Sequence, residues 1–429
     1  MMPNRTRYCI CFSIVLSVLI SNQIAVAQFA LIPMDERQSD HLKAYGIAYW
    51  AIEEPRGWTV EWLLNYRSGS FLLYNSNDVE RKCKLEGVTV ETLDAAGRDA
   101  ILREIDDGNM ELVTLEKAPT VAVYVPPNHE PWDDAVTLAL EYAKIPYEKI
   151  WDPDVLSGRV NDFDWLHLHH EDFSGQYGKF YRNFRNAPWY LERARLYKQA
   201  AREAGYPNVA LHKRAVALGL ANYISQGGFL FAMCSACDTL DIALAAENVD
   251  IIRAEIDGTP MTPNAQEKLR FENGLAFEDF TLFPDALVYE FSNIDCGPNP
   301  NTGDAIYKNP RFSLIDFSAK QDPVQSMLTQ CHVDEISEFR GQTSAFRKGL
   351  LKEEVQILAE FRQEGAVKYI HRNFGEGTMT FLAGHDPEDY EHIVGEPPTE
   401  LALHKNSPGY RLILNNVLFP AAKKRQRET

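Results

Sequence analysis

The apolar positions change period along the chain. Phe29 to Pro33, Thr59 to Asn65 and Phe71 to Tyr74 read as short extended runs. Between the first two, Leu42, Tyr45, Ile47, Tyr49 and Ile52 recur at helical spacing within residues 36–54. Residues 78–85 predict another helix, 88–93 a strand and 95–105 a helix. Residues 28–117 therefore predict a smaller N-terminal α/β part that opens on a strand–helix–strand unit.

A second series starts at Ala118. Thr120 to Val125 predicts a strand and Trp132 to Ala143 a helix, with Asp133 and Asp134 in its first turn. Strands follow at 147–151 and 164–169, then a helix at 210–225 and a wholly apolar strand from Phe229 to Met233. From Asp238 the period becomes helical again through Leu240, Ile242, Ala243 and Leu244. Later segments predict a helix at 350–364 and strands at 367–372 and 378–382, joined by a hairpin-like turn. A closing helix runs from Gly409 to Leu418. Strands alternating with helices predict an α/β fold over residues 118–422, with a mostly parallel sheet covered by helices on both faces.

Two insertions interrupt the series. Residues 173–207 interleave Lys179, Arg182, Arg185, Arg193 and Arg195 with Tyr177, Phe180, Tyr181, Trp189, Tyr190 and Tyr197. That mixture could grip a sugar or an anion, or form an amphipathic covering helix. Residues 250–340 are rich in Pro, Asn and Asp and predict a lid or subdomain over the sheet.

The start of the chain is of another kind. Arg5 and Arg7 precede an apolar stretch from Tyr8 to Ile20, and Ala25-Val26-Ala27 gives a small-x-small cleavage pattern. Residues 1–27 predict a signal peptide, a mature start near Gln28 and export to the periplasm or medium. The stretch is short for a membrane span and nothing later resembles one, so no transmembrane segment is expected after signal removal. Losing two arginines takes the formal charge from −18 to about −20. So acidic a chain excludes a general nucleic-acid binder, and the basic tail 423–429 reads as a solvated end. Cys83, Cys234, Cys237, Cys296 and Cys331 remain after export. This odd number leaves at least one thiol unpaired, and a Cys296–Cys331 bridge stays open.

The candidate chemistry gathers where strands end. Gly227-Gly228 opens the apolar strand, and Cys234-Ser235-Ala236-Cys237 lies between it and the next helix. Cys234 could be a nucleophile lifted on a sharp turn, its thiolate favoured by the helix N-terminus. Cys234 and Cys237 could be a C-x-x-C redox pair, or both could simply pack under the helix. In the run His167-Leu-His169-His170-Glu171, residues 167, 169 and 171 share one face of an extended chain and His170 takes the other. These histidines and Asp386 are candidate ligand-binding groups. A His-x-His pair suits zinc, but no third ligand stands at a diagnostic spacing, so no cofactor is predicted. His385 ends a strand at a Gly-His turn and is the candidate base for Cys234. Asp386, Glu388 or Glu171 could orient it, and the Ser235 N–H could stabilise an oxyanion.

Together, 120–125, Asp164-Trp-Leu-His-Leu-His169, Gly227-Gly-Phe-Leu-Phe-Ala-Met-Cys234 and Gly377-Thr-Met-Thr-Phe-Leu-Ala-Gly-His385 resemble the class I glutamine amidotransferase-like fold, closest to its trehalose-utilisation (ThuA-like) branch. The resemblance implies a flavodoxin-like sheet, with Cys234 as nucleophile, His385 as base and Glu388 as the acid after it. The whole chain, including Leu31-Ile-Pro-Met-Asp35 and 65–71, also resembles exported proteins labelled asparagine synthetase B. It lacks the N-terminal cysteine and the Ser-Gly-Gly-type loop of that activity, so the label implies no synthetase. The leading expectation is a cysteine-dependent hydrolase of amide or related acyl bonds, acting on a small-molecule or carbohydrate substrate. The alternatives are a non-catalytic module binding carbohydrate or a cell-envelope ligand, and a thioredoxin-like redox protein.

Overall fold

A computed structural model describes residues 28–74, 76–127, 134–297, 311–362, 365–390 and 397–422. The predicted signal peptide, Trp132, Asp133 and the basic tail lie outside the described residues.

The N-terminal part contains β1 (Phe29–Ile32), α1 (His41–Ile52), β2 (Val60–Leu64), β3 (Ser70–Tyr74), α2 (Ser76–Glu86), β4 (Glu91–Leu93), α3 (Ala95–Asp107) and β5 (Glu111–Leu115). Asp40 caps α1 by accepting from the Lys43 N–H at 3.0 Å. The strands form an antiparallel sheet in the order β4-β1-β3-β2-β5. β1 and β2 are thus separated by β3, which returns between them.

The next stretch supplies β6 (Val121–Tyr124), α4 (Ala135–Ala143), β7 (Glu148–Ile150), α5 (Asp152–Leu156) and β8 (Trp165–Leu168). The first insertion folds as α6 (Tyr181–Phe184) and α7 (Pro188–Glu203). Then come α8 (Val209–Ser225), β9 (Phe229–Met233), α9 (Ala236–Ala245) and α10 (Ala254–Asp257). The remainder gives β10 (Arg311–Leu314), α11 (Pro323–Leu328), β11 (Glu335–Ser337), β12 (Phe346–Arg347), β13 (Gln356–Phe361), β14 (Ala366–Phe374), β15 (Gly377–Leu382) and α12 (Pro408–Leu418). The large sheet runs β11-β10-β13-β14-β15-β9-β8-β6-β7, with β12 beside β14.

Side chains of this sheet alternate between two cores. Trp165, Phe231 and Met233 face one core, which they share with α1, α4, α12 and the N-terminal sheet. Leu166, Leu168, Leu230 and Ala232 face the other, under α8 and α9. Burial on both faces is why β8 and β9 are apolar at nearly every position.

Several expectations are corrected. The chain is α/β, but it has no mostly parallel, flavodoxin-like sheet. The small sheet is antiparallel throughout, and the large one is mixed: β7, β6, β8, β9 and β15 pair in parallel, whereas β14, β13, β10, β11 and β12 pair antiparallel. The cause is local. β14 and β15 are joined by a two-residue turn, and so short a connection makes them antiparallel. The second insertion also enters the sheet, as β10 and β11, rather than only covering it. The helix expected at 350–364 is instead strand β13, whose register shifts at a bulge between Ile357 and Glu360. The bulge breaks the strand's alternation. All five described cysteines are free thiols, so Cys296 and Cys331 do not pair.

One buried charge cluster braces the sheet near the end of β8. Lys213 on α8 is 0% exposed and reaches Asp152 Oδ1 at 2.9 Å and Glu171 Oε1 at 2.7 Å. Its ammonium lies 4.7 Å from the Tyr197 ring centroid and 3.1 Å from the Tyr124 hydroxyl, which itself donates to Asp152. Burial disfavours the ammonium, but Asp152 and Glu171 outweigh it and hold Lys213 charged. One ammonium faces two carboxyls, so burial still pushes Glu171 upward against the pull of Lys213.

Removing one member of such a cluster leaves the others buried without compensation. Lys213→Met should lower unfolding free energy by about 3–5 kcal/mol in urea titrations; an unchanged midpoint would show that the cluster contributes nothing.

Acid should also weaken the fold. Burial pushes the His371 ring, on β14, from 6.5 down to about 4. The folded state favours the neutral ring, so its contribution is intact above pH 6.5 and is lost as pH falls from 6.5 towards 4. The decline should reach about 3 kcal/mol for this residue. Urea midpoints measured across that range should fall less steeply for His371→Gln; parallel profiles would refute the assignment.

Candidate functional site

β8, β9 and β15 are neighbours with their carboxyl ends on one edge of the sheet, where side chains from separate strands converge. β9 ends at Cys234, whose backbone adopts φ +52° before α9 begins. A left-handed non-glycine residue costs about 1–3 kcal/mol and persists only where the surroundings enforce it. Here the Cys234 N–H donates to the Gly384 carbonyl at 3.0 Å, and the Ala236 N–H donates to the His169 carbonyl at 3.1 Å. The Gly384 and His385 N–H groups both donate, at 2.7 Å, to Thr343 and Arg340 carbonyls respectively. Gly384 itself has φ +100°, and a Cβ there would meet the Phe339 ring at 2.5 Å. Backbone bonds thus lace three chain segments into one rigid edge.

Three imidazoles meet on that edge. Ring centroids of His169 and His170 are 4.1 Å apart, and each lies 4.7 Å from His385. One nitrogen from each ring lies within 4.8 Å of the other two. His169 and His385 are buried, while His170 is half-buried and leaves a side towards solvent. His167, buried further in, stands 3.2 Å from both Asp134 carboxylate oxygens. Asp134 caps α4, accepting from Val136 N–H at 2.7 Å, and also contacts His169 Nδ1 at 3.1 Å. Burial disfavours the Asp134 carboxylate, yet His167 and His169 hold it well below the usual range. Burial pushes His167 down, with Asp134 pulling the other way.

The His169 tautomer follows from these contacts. Its Nδ1 faces a carboxylate oxygen at 3.1 Å and His167 Nε2 at 3.2 Å. A proton on Nδ1 satisfies that side and leaves Nε2 as a bare lone pair. His169 Nε2 is buried and has no hydrogen-bond partner among the described residues. It is therefore a free donor atom next to two more imidazoles.

Cys234 sits differently from the sequence expectation. Its Sγ accepts from the Gln342 N–H at 3.3 Å, and N–H groups of Ser235 and Thr343 also face it. Burial nevertheless pushes the thiol up to about 11, against the expected lowering. Cys237 is raised still further by burial and by Asp238. The Ser235 N–H thus serves the sulfur, and Ser235 Oγ is buried with no partner among the described residues. Glu171 belongs to Lys213 and accepts from the Tyr197 hydroxyl at 3.3 Å. Glu388 pairs with His404 at 3.0 Å. Asp386 accepts from the Glu388 N–H at 2.9 Å, and burial raises it. Each of the three acids offered as orienters of His385 thus has a further partner of its own.

The aromatic residues of the first insertion mostly pack together. Tyr177, Tyr190 and Tyr197 are buried, and Phe180, Phe184 and Trp189 meet edge-on or tilted with centroids 5.0–5.9 Å apart. A cavity of about 300 Å³ lies away from the histidines, between the start of α8 and the end of α9. Asp134 was missed as a functional residue, although an acid at a helix start near a strand's carboxyl end is a readable signal. Lys213 gave none, because a lysine in a helix ordinarily reads as solvated.

No family model and no curated protein matches the chain. Among solved structures, a cytoplasmic protein from Salmonella typhimurium LT2 is similar at 12% identity and TM-score 0.33, covering 71% of this chain and 100% of its own. A second cytoplasmic protein from Salmonella typhimurium has 8% identity, TM-score 0.33 and the same coverages. An exo-β-1,4-mannosidase from Opitutaceae bacterium strain TAV5 has 12% identity and TM-score 0.26, over 62% of this chain and 31% of its own. Likenesses this distant carry no argument about function. The mixed sheet overturns the resemblance to the class I glutamine amidotransferase-like fold and its ThuA-like branch, and no matching family or curated protein upholds that to proteins labelled asparagine synthetase B.

Proposed function

We propose that the protein is an exported, metal-dependent hydrolase of amide or related acyl bonds, with His169, His170 and His385 holding the ion. The observation that carries the reading is the bare, buried His169 Nε2 set beside two further imidazoles. Three imidazoles plus an open position form a recurrent donor set for zinc. Such an ion supplies Lewis acidity and an activated water. The chain's own contributions are ligation and orientation. His385 is placed by its N–H bond to the Arg340 carbonyl, and His169 is oriented by Asp134. A carboxylate behind a ligating histidine fixes its tautomer and strengthens it as a donor. Half-buried His170 marks the side from which a small-molecule substrate would approach.

A second reading keeps Cys234 as the nucleophile. It is favoured by the left-handed turn at φ +52° and by the N–H groups around Sγ. Atomic-absorption analysis after dialysis, with p-nitrophenyl acetate as probe, separates the two. The full chain should retain zinc and hydrolyse the ester. His385→Ala should lose zinc affinity by at least about 10–100-fold, the cost seen for lesser changes around a metal. Turnover that survives complete zinc removal but stops on alkylation of Cys234 would select the cysteine reading.

Among the described residues no helix is long and apolar enough to cross a membrane. Export rests on Arg5, Arg7, the apolar stretch and Ala25-Val26-Ala27. Mass spectrometry of protein from its native host should give an N-terminus near Gln28; an intact Met1 would remove this part of the proposal.

A further inference from the structure

Beneath the three outer imidazoles lies a second cluster: Asp134, His167 and the other nitrogen of His169. The three atoms form a nearly equilateral triangle. His167 Nε2 to His169 Nδ1 is 3.2 Å, His169 Nδ1 to Asp134 Oδ1 is 3.1 Å, and His167 Nε2 to Asp134 Oδ1 is 3.2 Å. Asp134, His167 and His169 are 3%, 0% and 2% exposed.

Hydrogen bonds alone do not satisfy this triangle when both rings are neutral. His167 Nδ1 lies 3.2 Å from the Phe231 carbonyl oxygen, which can only accept, so Nδ1 carries the ring's proton and Nε2 is bare. The single proton on His169 Nδ1 can serve either Asp134 or His167. The edge between His167 Nε2 and the carboxylate then sets two acceptors against each other, buried, at 3.2 Å. Such a mismatch is costly away from water. A cation held above the triangle by all three atoms removes it on all three edges together.

The dimensions fit. Zinc binds imidazole nitrogen and carboxylate oxygen at about 2.0–2.2 Å, which puts neighbouring ligand atoms of a tetrahedron about 3.3 Å apart. The second carboxylate oxygen, also 3.2 Å from His167 Nε2, can supply a fourth contact. Charge fits as well. The Asp134 carboxylate supplies a negative charge directly opposite the ion, which offsets part of the cost of burying it.

We propose that Asp134, His167 and His169 Nδ1 hold a second divalent transition-metal ion, joined to the outer one through the His169 imidazolate. Binding of the inner ion displaces the Nδ1 proton to solvent, and each nitrogen of the ring then ligates one ion. The inner site stands on its own distances; the bridge rests on the outer site proposed above.

The test is zinc stoichiometry on the full chain, stripped with chelator, reloaded with zinc, dialysed and analysed for metal per chain. Two equivalents are expected for the wild type, one for His167→Gln, one for His385→Gln and none for His169→Ala. Should His167→Gln fail to fold, Asp134→Asn is the second variant, with the same expected loss. A wild type holding one equivalent that both inner variants retain overturns the inner site. One equivalent lost in the inner variants but kept in His385→Gln supports the inner ion and overturns the outer reading and the bridge. A wild type holding none overturns both. With cobalt(II) in place of zinc, magnetic coupling between the two ions, absent in His167→Gln, is the expected signature of the bridge.

Discussion

The backbone bond from Cys234 N–H to the Gly384 carbonyl decides what the carboxyl edge can do. It clamps the end of β9 to the end of β15 while Ala236 N–H clamps the start of α9 to His169. Neither bond involves a reactive side chain. Both fix the positions from which side chains project, so the imidazoles of His169, His170 and His385 meet without a loop having to order around them. The left-handed strain at Cys234 is tolerated because the clamp gives the backbone no lower-energy alternative. Gly341 takes part too: a Cβ there would meet the His385 backbone nitrogen at 2.8 Å, so the 340–343 segment can approach only as glycine permits.

Charged groups are buried on both sides of β8, each beside partners of its own. On the α8 face, the single Lys213 ammonium faces both Asp152 and Glu171 just beyond the histidines. On the α4 face, Asp134 stands against His167 and His169. The pattern follows from the strand's period of two. Trp165 and His167 point to one core, and Leu166 and Leu168 to the other. A polar residue inside a strand buried on both faces must find a partner on the helix covering its face. His167 finds the N-cap of α4, which already needs an acid for its own N–H groups. One carboxylate therefore meets a helix-capping demand and a histidine's demand together.

Parts of this were legible in the sequence for physical reasons. β9 has the bounds its continuous apolar run implies, because no polar residue blurs them. The departures are those where tertiary context overrides local pattern. The bulge in β13 broke its alternation, and the apolar spacing around it then imitated a helix. The antiparallel half of the large sheet depends on chain reversals and on a strand supplied by an irregular insertion, neither visible in periodicity. The histidine run near 167–170 announced ligand chemistry but not its partners. Asp134 lies 33 residues from His167 in sequence, and only the placement of α4 over the sheet joins them.

The contrast between sulfur and imidazole at this edge is one of solvation. Cys234 receives N–H groups from three directions, an arrangement that would favour a thiolate in water-exposed surroundings. Full burial outweighs them and leaves the thiol neutral at ordinary pH. An imidazole needs no net charge to act as a ligand, so the same burial that silences the sulfur leaves His169 Nε2 available and shields it from competing water. Burial of this depth therefore favours neutral donors over an ionised nucleophile.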